Sequence, residues 1–242
     1  MIDNLIWVFG HNTTLYLGTL FILGLLVGSF VNVVIYRLPV MMNREWRQDC
    51  LEFLQLPAEA RGEKFNLNSP RSRCGNCSHQ ITVLENIPLF SYLFLGGKCS
   101  SCKTRLSLQY PLVELFTALV SVVVGWQFGV SPQAMAGLFL SWCLIAASGI
   151  DIGHKLLPDS ITLPLLWLGI LLSFFEIFVS LEDSVIGAMA GYMSLWTVFI
   201  LFKLVTGKEG MGHGDFKLLA MLGAWTGWKM LFVVILTSSL VG

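Results

Sequence analysis

Charge is what this sequence has least of. Only 12% of its 242 residues are Asp, Glu, Lys or Arg, about half the share of an ordinary soluble domain. That shortage excludes a water-surrounded globule, a charge-rich disordered chain and a coiled coil. The 15 basic and 15 acidic residues cancel, so no field of one sign draws nucleic acid, and none is expected as a partner. Six cysteines in this length are too sparse for a small disulfide-stapled secreted module. HExxH is missing, which removes the usual helical zinc-protease signature. Gly97-Lys98 is followed by Cys and Gly207-Lys208 by Glu, where a phosphate-binding Walker loop requires Ser or Thr.

What is there is apolar: 55% of residues are hydrophobic and the mean hydropathy is +0.72. The few charges are also unevenly placed. Residues 37–110 hold 10 Lys/Arg and 6 Asp/Glu, 16 of the 30, and the other 168 residues share 14. The pattern is that of an all-α polytopic membrane protein with a polar insert, divided into a first span (1–36), a loop domain (37–110) and a transmembrane bundle (111–242).

Thr14 to Tyr36 contains no charge, and 23 helical residues reach about 34 Å, enough for a hydrocarbon core of roughly 30 Å. Only Asp3 precedes it as a charge, so it lacks the basic start of a signal peptide. The uncharged run between Glu114 and Asp151 is too long for one crossing, and Gly125, Gly129 and Pro132 divide it into spans near 111–128 and 133–150. Two more are expected near 160–180 and 184–203. After Asp215, residues 216–228 and 230–242 form a pair of short helices or one segment bent at Gly227. The total is about seven helices. The last is shorter than a crossing and has no anchor after it, so the chain reads as lacking a C-terminal helix. Ten of the 15 basic residues fall in the insert and none precedes the first span. The positive-inside rule therefore puts the N-terminus outside and the loop in the cytoplasm, with Arg37, Arg44 and Arg105 flanking the spans.

The loop carries Cys74-Gly-Asn-Cys77 and Cys99-Ser-Ser-Cys102. Two CxxC pairs at this separation match a tetrahedral four-thiolate zinc site, since each tight turn presents two sulfurs to one ion. Disulfides are disfavoured on the reducing side of the membrane, and no βαβ pattern accompanies a redox dithiol. His79 is then an outlying neighbour, because four sulfurs already fill the site. Cys50 and Cys143 read as ordinary thiols. Asn43–Leu56 is expected as a helix of its own, with Trp46, Cys50, Phe53 and Leu54 on one face and Pro57 ending it, lying on the membrane or on the zinc unit.

Two isolated aspartates stand out. Asp151 closes the third span and Asp215 opens the sixth, after Gly210, Gly212 and Gly214, and the charge count puts both on the cytoplasmic side. Ionisable groups at membrane depth are costly, so they invite a functional reading. Two carboxylates sharing a proton supply a general base and a general acid. Helix-end solvation is a second explanation, and a metal or ion site that includes His154 or His213 is a third. Asp159, after Pro158, reads as an N-cap. If the aspartates instead pass protons or cations, the chain is a membrane carrier or channel with a zinc-stabilised docking loop.

Six blocks in order resemble the bacterial prepilin peptidases, membrane aspartyl proteases of the GxGD kind. They are Gly28 to Pro39 with Asn32 and Arg37; the two CxxC pairs; Asn86 to Leu89; Tyr110 to Leu115 with Glu114; Asp151 with Leu157 to Asp159; and Gly212-His-Gly214-Asp215-Phe-Lys217. The resemblance implies that Asp151 and Asp215 are the catalytic pair and that Asp159 lies outside it. It implies cleavage of the basic leader from type IV prepilins or type II secretion pseudopilins after a glycine. It also implies methylation of the new N-terminal amine with S-adenosylmethionine, an activity linked to the zinc-bearing loop. Family members typically have eight spans. Gly75 stands where many relatives have proline, which changes turn stiffness and not the sulfurs. No motif marks a methyl-donor site, and Gly96-Gly97 reads as a plain turn.

Overall fold

The computed structural model describes residues 2–57, 65–82, 84–208 and 210–241. A short helix absent from the sequence expectations, α1 (Ile2–His11), precedes α2 (Thr13–Phe53). The start of α2 is fixed by Asn12, whose side chain accepts the Leu15 amide at 3.1 Å, satisfying one of the orphan donors of a first turn. Its 41 residues rise about 60 Å, twice a hydrocarbon core. The expected separate helix at 43–56 is therefore a continuation of the first span, with the buried Pro39 inside it. Its far end does not pack on the loop, since Phe53 is 87% and Leu54 60% exposed. The helix ends at Phe53, with Leu54 as its cap, just short of the Pro57 stop, and nothing between 36 and 43 breaks it.

Two compact units follow from the packing, Met1–His154 and Lys155–Gly242. In the first, α2 packs against α4 (Gln109–Phe128) and α5 (Pro132–His154). Gly125 lies inside α4, and the break falls at Gly129 and Ser131, with Pro132 opening α5 where its missing N–H costs nothing. Gly24 and Gly28, one turn apart, let α4 close onto α2: a Cβ would stand 2.6 Å from Ala118 Cα and 2.7 Å from Glu114 Cα. This small-xxx-small contact is the usual substitute in lipid for a hydrophobic driving force. Buried polar groups add direct bonds. Trp142 Nε1 donates to Ser121 Oγ at 2.9 Å, and Tyr16 donates to the Gly129 carbonyl at 2.7 Å.

The second unit holds α6 (Asp159–Ser173), α7 (Leu181–Thr206), α8 (His213–Thr226) and α9 (Trp228–Val241). Glycines again set its closest approach. Gly187 on α7 and Gly223 on α8 meet backbone to backbone, and a Cβ on Gly191 would stand 2.6 Å from the Leu219 carbonyl oxygen. Ser184 donates to the Ala224 carbonyl at 2.7 Å and Trp225 to that of Leu165 at 2.8 Å, so no buried donor in this seam is wasted. The last segment is two helices parted at Gly227, whose φ of +74° suits glycine.

All seven expected helices are present. Four of them (α2, α4, α5, α7) are long and apolar enough to cross a membrane, and α6 and α9 are shorter apolar helices. The chain is a multi-pass membrane protein. Among the described residues there is no strand beyond two isolated bridges, both in the loop.

Candidate functional site

The loop between α2 and α4 is built around two copies of one turn. In the first, the Cys74 amide donates to the His79 carbonyl at 2.8 Å and the Ser78 amide to the Cys74 carbonyl at 2.9 Å. In the second, the Cys99 amide donates to the Thr104 carbonyl at 2.9 Å and the Lys103 amide to the Cys99 carbonyl at 3.1 Å. Ser78 and Lys103 hold the same place, with φ of +57° and +58°. The bridges Arg73 to Gln80 and Lys98 to Arg105 close the two hairpins, and Asn76 Nδ2 ties them together at Thr104 Oγ1, 2.9 Å away.

Each turn delivers two sulfurs, and all four lie within 4.8 Å of one another. Cys74 Sγ to Cys102 Sγ is 3.8 Å and Cys77 Sγ to Cys99 Sγ is 4.0 Å. A tetrahedron with metal–sulfur bonds of about 2.3 Å has edges of about 3.8 Å, so the four ligands fit one ion. No disulfide joins them. The Thr104 hydroxyl and amide hold the Cys102 thiol down to about 5. At Cys77 the downward pull of the His79 backbone bond is outweighed by burial and the neighbouring sulfurs, which push the thiol up to about 11. Four sulfurs this close do not all ionise without a cation among them. His79 stays outside the sulfur cluster: its Nε2 lies 3.4 Å from Glu85 Oε2 and 3.3 Å from Ser100 Oγ. Glu85 in turn accepts from the Thr82 amide at 2.8 Å while its own amide reaches back to Thr82 Oγ1 at 3.4 Å, a reciprocal cap. Hydrogen bonds from Ser100 and Thr82 hold its carboxyl down to about 2. Gly96 and Gly97 form a plain turn with φ of +61° and +67°. It ends the short helix α3 (Phe90–Phe94), with the Gly97 amide on the Tyr92 carbonyl at 2.8 Å.

Sequence reasoning gave Arg37 a role only as a charge at a membrane face. The structure buries it to 6% exposure. Its guanidinium donates to the carbonyls of Asn66 at 2.9 Å, Leu67 at 3.4 Å and Pro70 at 2.6 Å, and so holds the strand of loop that leads to the first knuckle. Its membership of the Gly28–Pro39 block was the available signal. Glu114 has the matching job at the loop's far side, with Oε2 accepting the Leu89 amide at 2.9 Å.

The two singled-out aspartates fall in different units. Asp151 is half-buried in the last turn of α5, and Asp215 is half-buried in the first turn of α8, which begins at His213. The glycines before Asp215 have separate reasons. Gly212 is extended (φ −76°, ψ 146°) and ends the loop, whereas Gly214 is already helical and faces Leu157, whose Cβ would be 2.9 Å from an added Cβ. Asp159 is not a cap. It is the first residue of α6, behind Pro158, and its carboxylate takes Lys217 Nζ at 2.8 and 2.7 Å. An ion pair this exposed contributes at most about 1 kcal/mol. Its effect is positional, because it ties the start of α6 to the helix turn that carries Asp215.

Residues 22–128 match the family described as the bacterial peptidase A24 N-terminal domain, and residues 138–242 match the type IV leader peptidase family. Curated relatives bearing the name prepilin leader peptidase/N-methyltransferase align over most of the chain. That of Stutzerimonas stutzeri is 62% identical over 221 residues, 91% of this chain and 76% of its own length. That of Pseudomonas aeruginosa is 60% identical with the same coverage. That of Neisseria gonorrhoeae is 51% identical over 222 residues, 91% of this chain and 78% of its own. No solved structure matches.

Proposed function

This chain belongs to the type IV leader peptidase family, and on that footing we propose that it removes the leader peptide from prepilins and methylates the N-terminus so exposed. Supporting this reading are identities of 51 to 62% with relatives of that name across nine-tenths of the chain, together with an aspartate at each of two helix ends.

Asp151 and Asp215 carry the hydrolysis. The ionised member of the pair takes a proton from water, whose oxygen attacks the scissile carbonyl carbon. The protonated member gives its proton to the leaving nitrogen as the C–N bond breaks. The scissile bond follows a glycine at the cytoplasmic edge of the substrate's apolar helix, on the inner face of the cytoplasmic membrane; the basic excess of the loop supports that side. There both carboxylates meet water while the substrate helix stays in lipid. The four-cysteine cluster holds zinc, a closed site that organises the loop and leaves no position open for substrate. S-adenosylmethionine supplies the methyl group to the free amine.

The test uses a purified prepilin in detergent and reads the product by mass. Asp151→Asn and Asp215→Asn should each lower leader cleavage about a thousandfold in protein that still inserts and folds. Retained cleavage in either variant would overturn the pair. A product shortened by the leader and heavier by one methyl group supports both reactions. Transport that depends on both aspartates, with no proteolysis, would instead identify a carrier.

A further inference from the structure

A cavity of about 130 Å³ opens on the first unit at the end where α2, α4 and α5 meet the loop. Asn32, Tyr36, Gln109, Tyr110, Gly153 and His154 line it. The lining holds no Asp, Glu, Lys or Arg, so it does not suit the basic leader. Its deepest polar group is Asn32, 6% exposed. Asn32 Nδ2 donates to the Tyr110 carbonyl at 3.0 Å, but Oδ1 is buried with no hydrogen-bond partner. An acceptor left so is costly unless something donates to it.

We infer that this cavity receives the adenine ring of the methyl donor. The inference rests on the N-methyltransferase reading and names the site which that reading lacks. Asn32 lines the cavity and carries an unpartnered acceptor beside an amide nitrogen with one proton still available. A small rotation of the side chain toward the opening exposes the edge that pairs with N6 and N7 of adenine. The tyrosines and His154 supply aromatic surface of the kind on which bases stack. The volume is too small for a whole nucleoside-sized ligand, which needs roughly 300 Å³ or more. It takes one ring system, and the remainder of the donor lies outside the mouth. Gly149 and Gly153 face the α2 side of α5, Gly149 against Ile35, and Asp151 sits two residues on, about 200° around the helix. The cavity is thus separate from the carboxylate that the hydrolysis uses, as a second reaction requires.

Gly153 offers a clean block. A Cβ there meets nothing within 4 Å, and in a helix a leucine side chain folds back toward the preceding turn, into the opening. Binding of S-adenosylhomocysteine is measured by calorimetry on the full chain in detergent, with adenosine and methionine as competitors. Gly153→Leu should weaken binding about tenfold or more while leader cleavage stays within about twofold of wild type. Asn32→Leu, nearly isosteric, should do the same, and adenosine should compete where methionine alone does not. Wild-type affinity in both variants, or no competition by adenosine, overturns the site and leaves solvent alone as the cavity's occupant. Displacement by a prepilin peptide but not by adenosine also overturns it, in favour of a substrate pocket. If wild-type protein cleaves the leader, adds no methyl group and binds no S-adenosylhomocysteine, the N-methyltransferase reading itself fails, and the site with it.

Discussion

The loop and the helical units solve the same problem by opposite means. Between residues 65 and 108 the buried residues are few, among them Cys74, Pro88, Gly97 and Cys99, and order comes from backbone turns that converge on four sulfurs. In the two helical units order comes from absent side chains: Gly24 and Gly28 on one seam, Gly187, Gly191 and Gly223 on the other. One region is held by what its residues bind, the other by how closely its backbones approach. Stress should therefore separate them, with metal removal dissolving the first and added volume opening the second.

The largest effect expected is on the loop. Stripping the proposed zinc with a chelator, or Cys99→Ser, should unfold 65–108 while α2, α4 and α5 keep their helicity, since the loop buries few residues. Limited proteolysis with mass readout checks this, and a protected loop in metal-free protein would refute the contrast. Next comes Gly187→Leu, which forces a side chain into the Gly223 backbone. It should cost about 3 kcal/mol or more, read as a lower thermal midpoint in detergent with zinc content unchanged. Smaller again is Arg37→Met. Arg37 is where the two regimes join, and losing its three carbonyl bonds should cost about 2 kcal/mol. Arg37→Lys should recover only part of that, because an ammonium lacks the fork. Thermal midpoints of the two variants against wild type decide it.

The same contrast explains how much was readable beforehand. The four cysteines were legible because a metal fixes both residue type and spacing, and a CxxC pair has few other uses. The apolar runs were legible because a bilayer sets a minimum length. Helix ends were not. The continuation of α2 through Pro39 to Phe53 has no composition signal, since the uncharged run ends at Tyr36 and the extension carries charges. Asp159 read as a cap because its ion-pair partner, Lys217, is 58 residues away and nothing local announces it. Asn32 was visible only as a member of a motif block, and Arg37 as that and as a basic residue flanking a span. Their roles depend on carbonyls at 66, 67, 70 and 110, which are contributed by backbone and have no sequence identity.

The smallest effect tests whether the loop is held by its metal or also by its own polar network. Glu85 accepts two bonds from Thr82, and these with Ser100 hold its carboxyl down to about 2. A carboxyl depressed in the folded state contributes stability that is complete above its ordinary range near 4.5 and is lost only as pH falls toward 2. Between pH 5.5 and pH 7 the Glu85 carboxyl therefore stays ionised in the folded loop. Glu85→Gln should therefore weaken the loop modestly and by the same amount at pH 7 and at pH 5.5, leaving the pH midpoint of zinc release unmoved. Measured by zinc release against pH in both proteins, a midpoint displaced by half a unit or more would mean that Glu85 acts on the metal through His79 and Ser100. In that case the loop would be one network of sulfurs and polar groups.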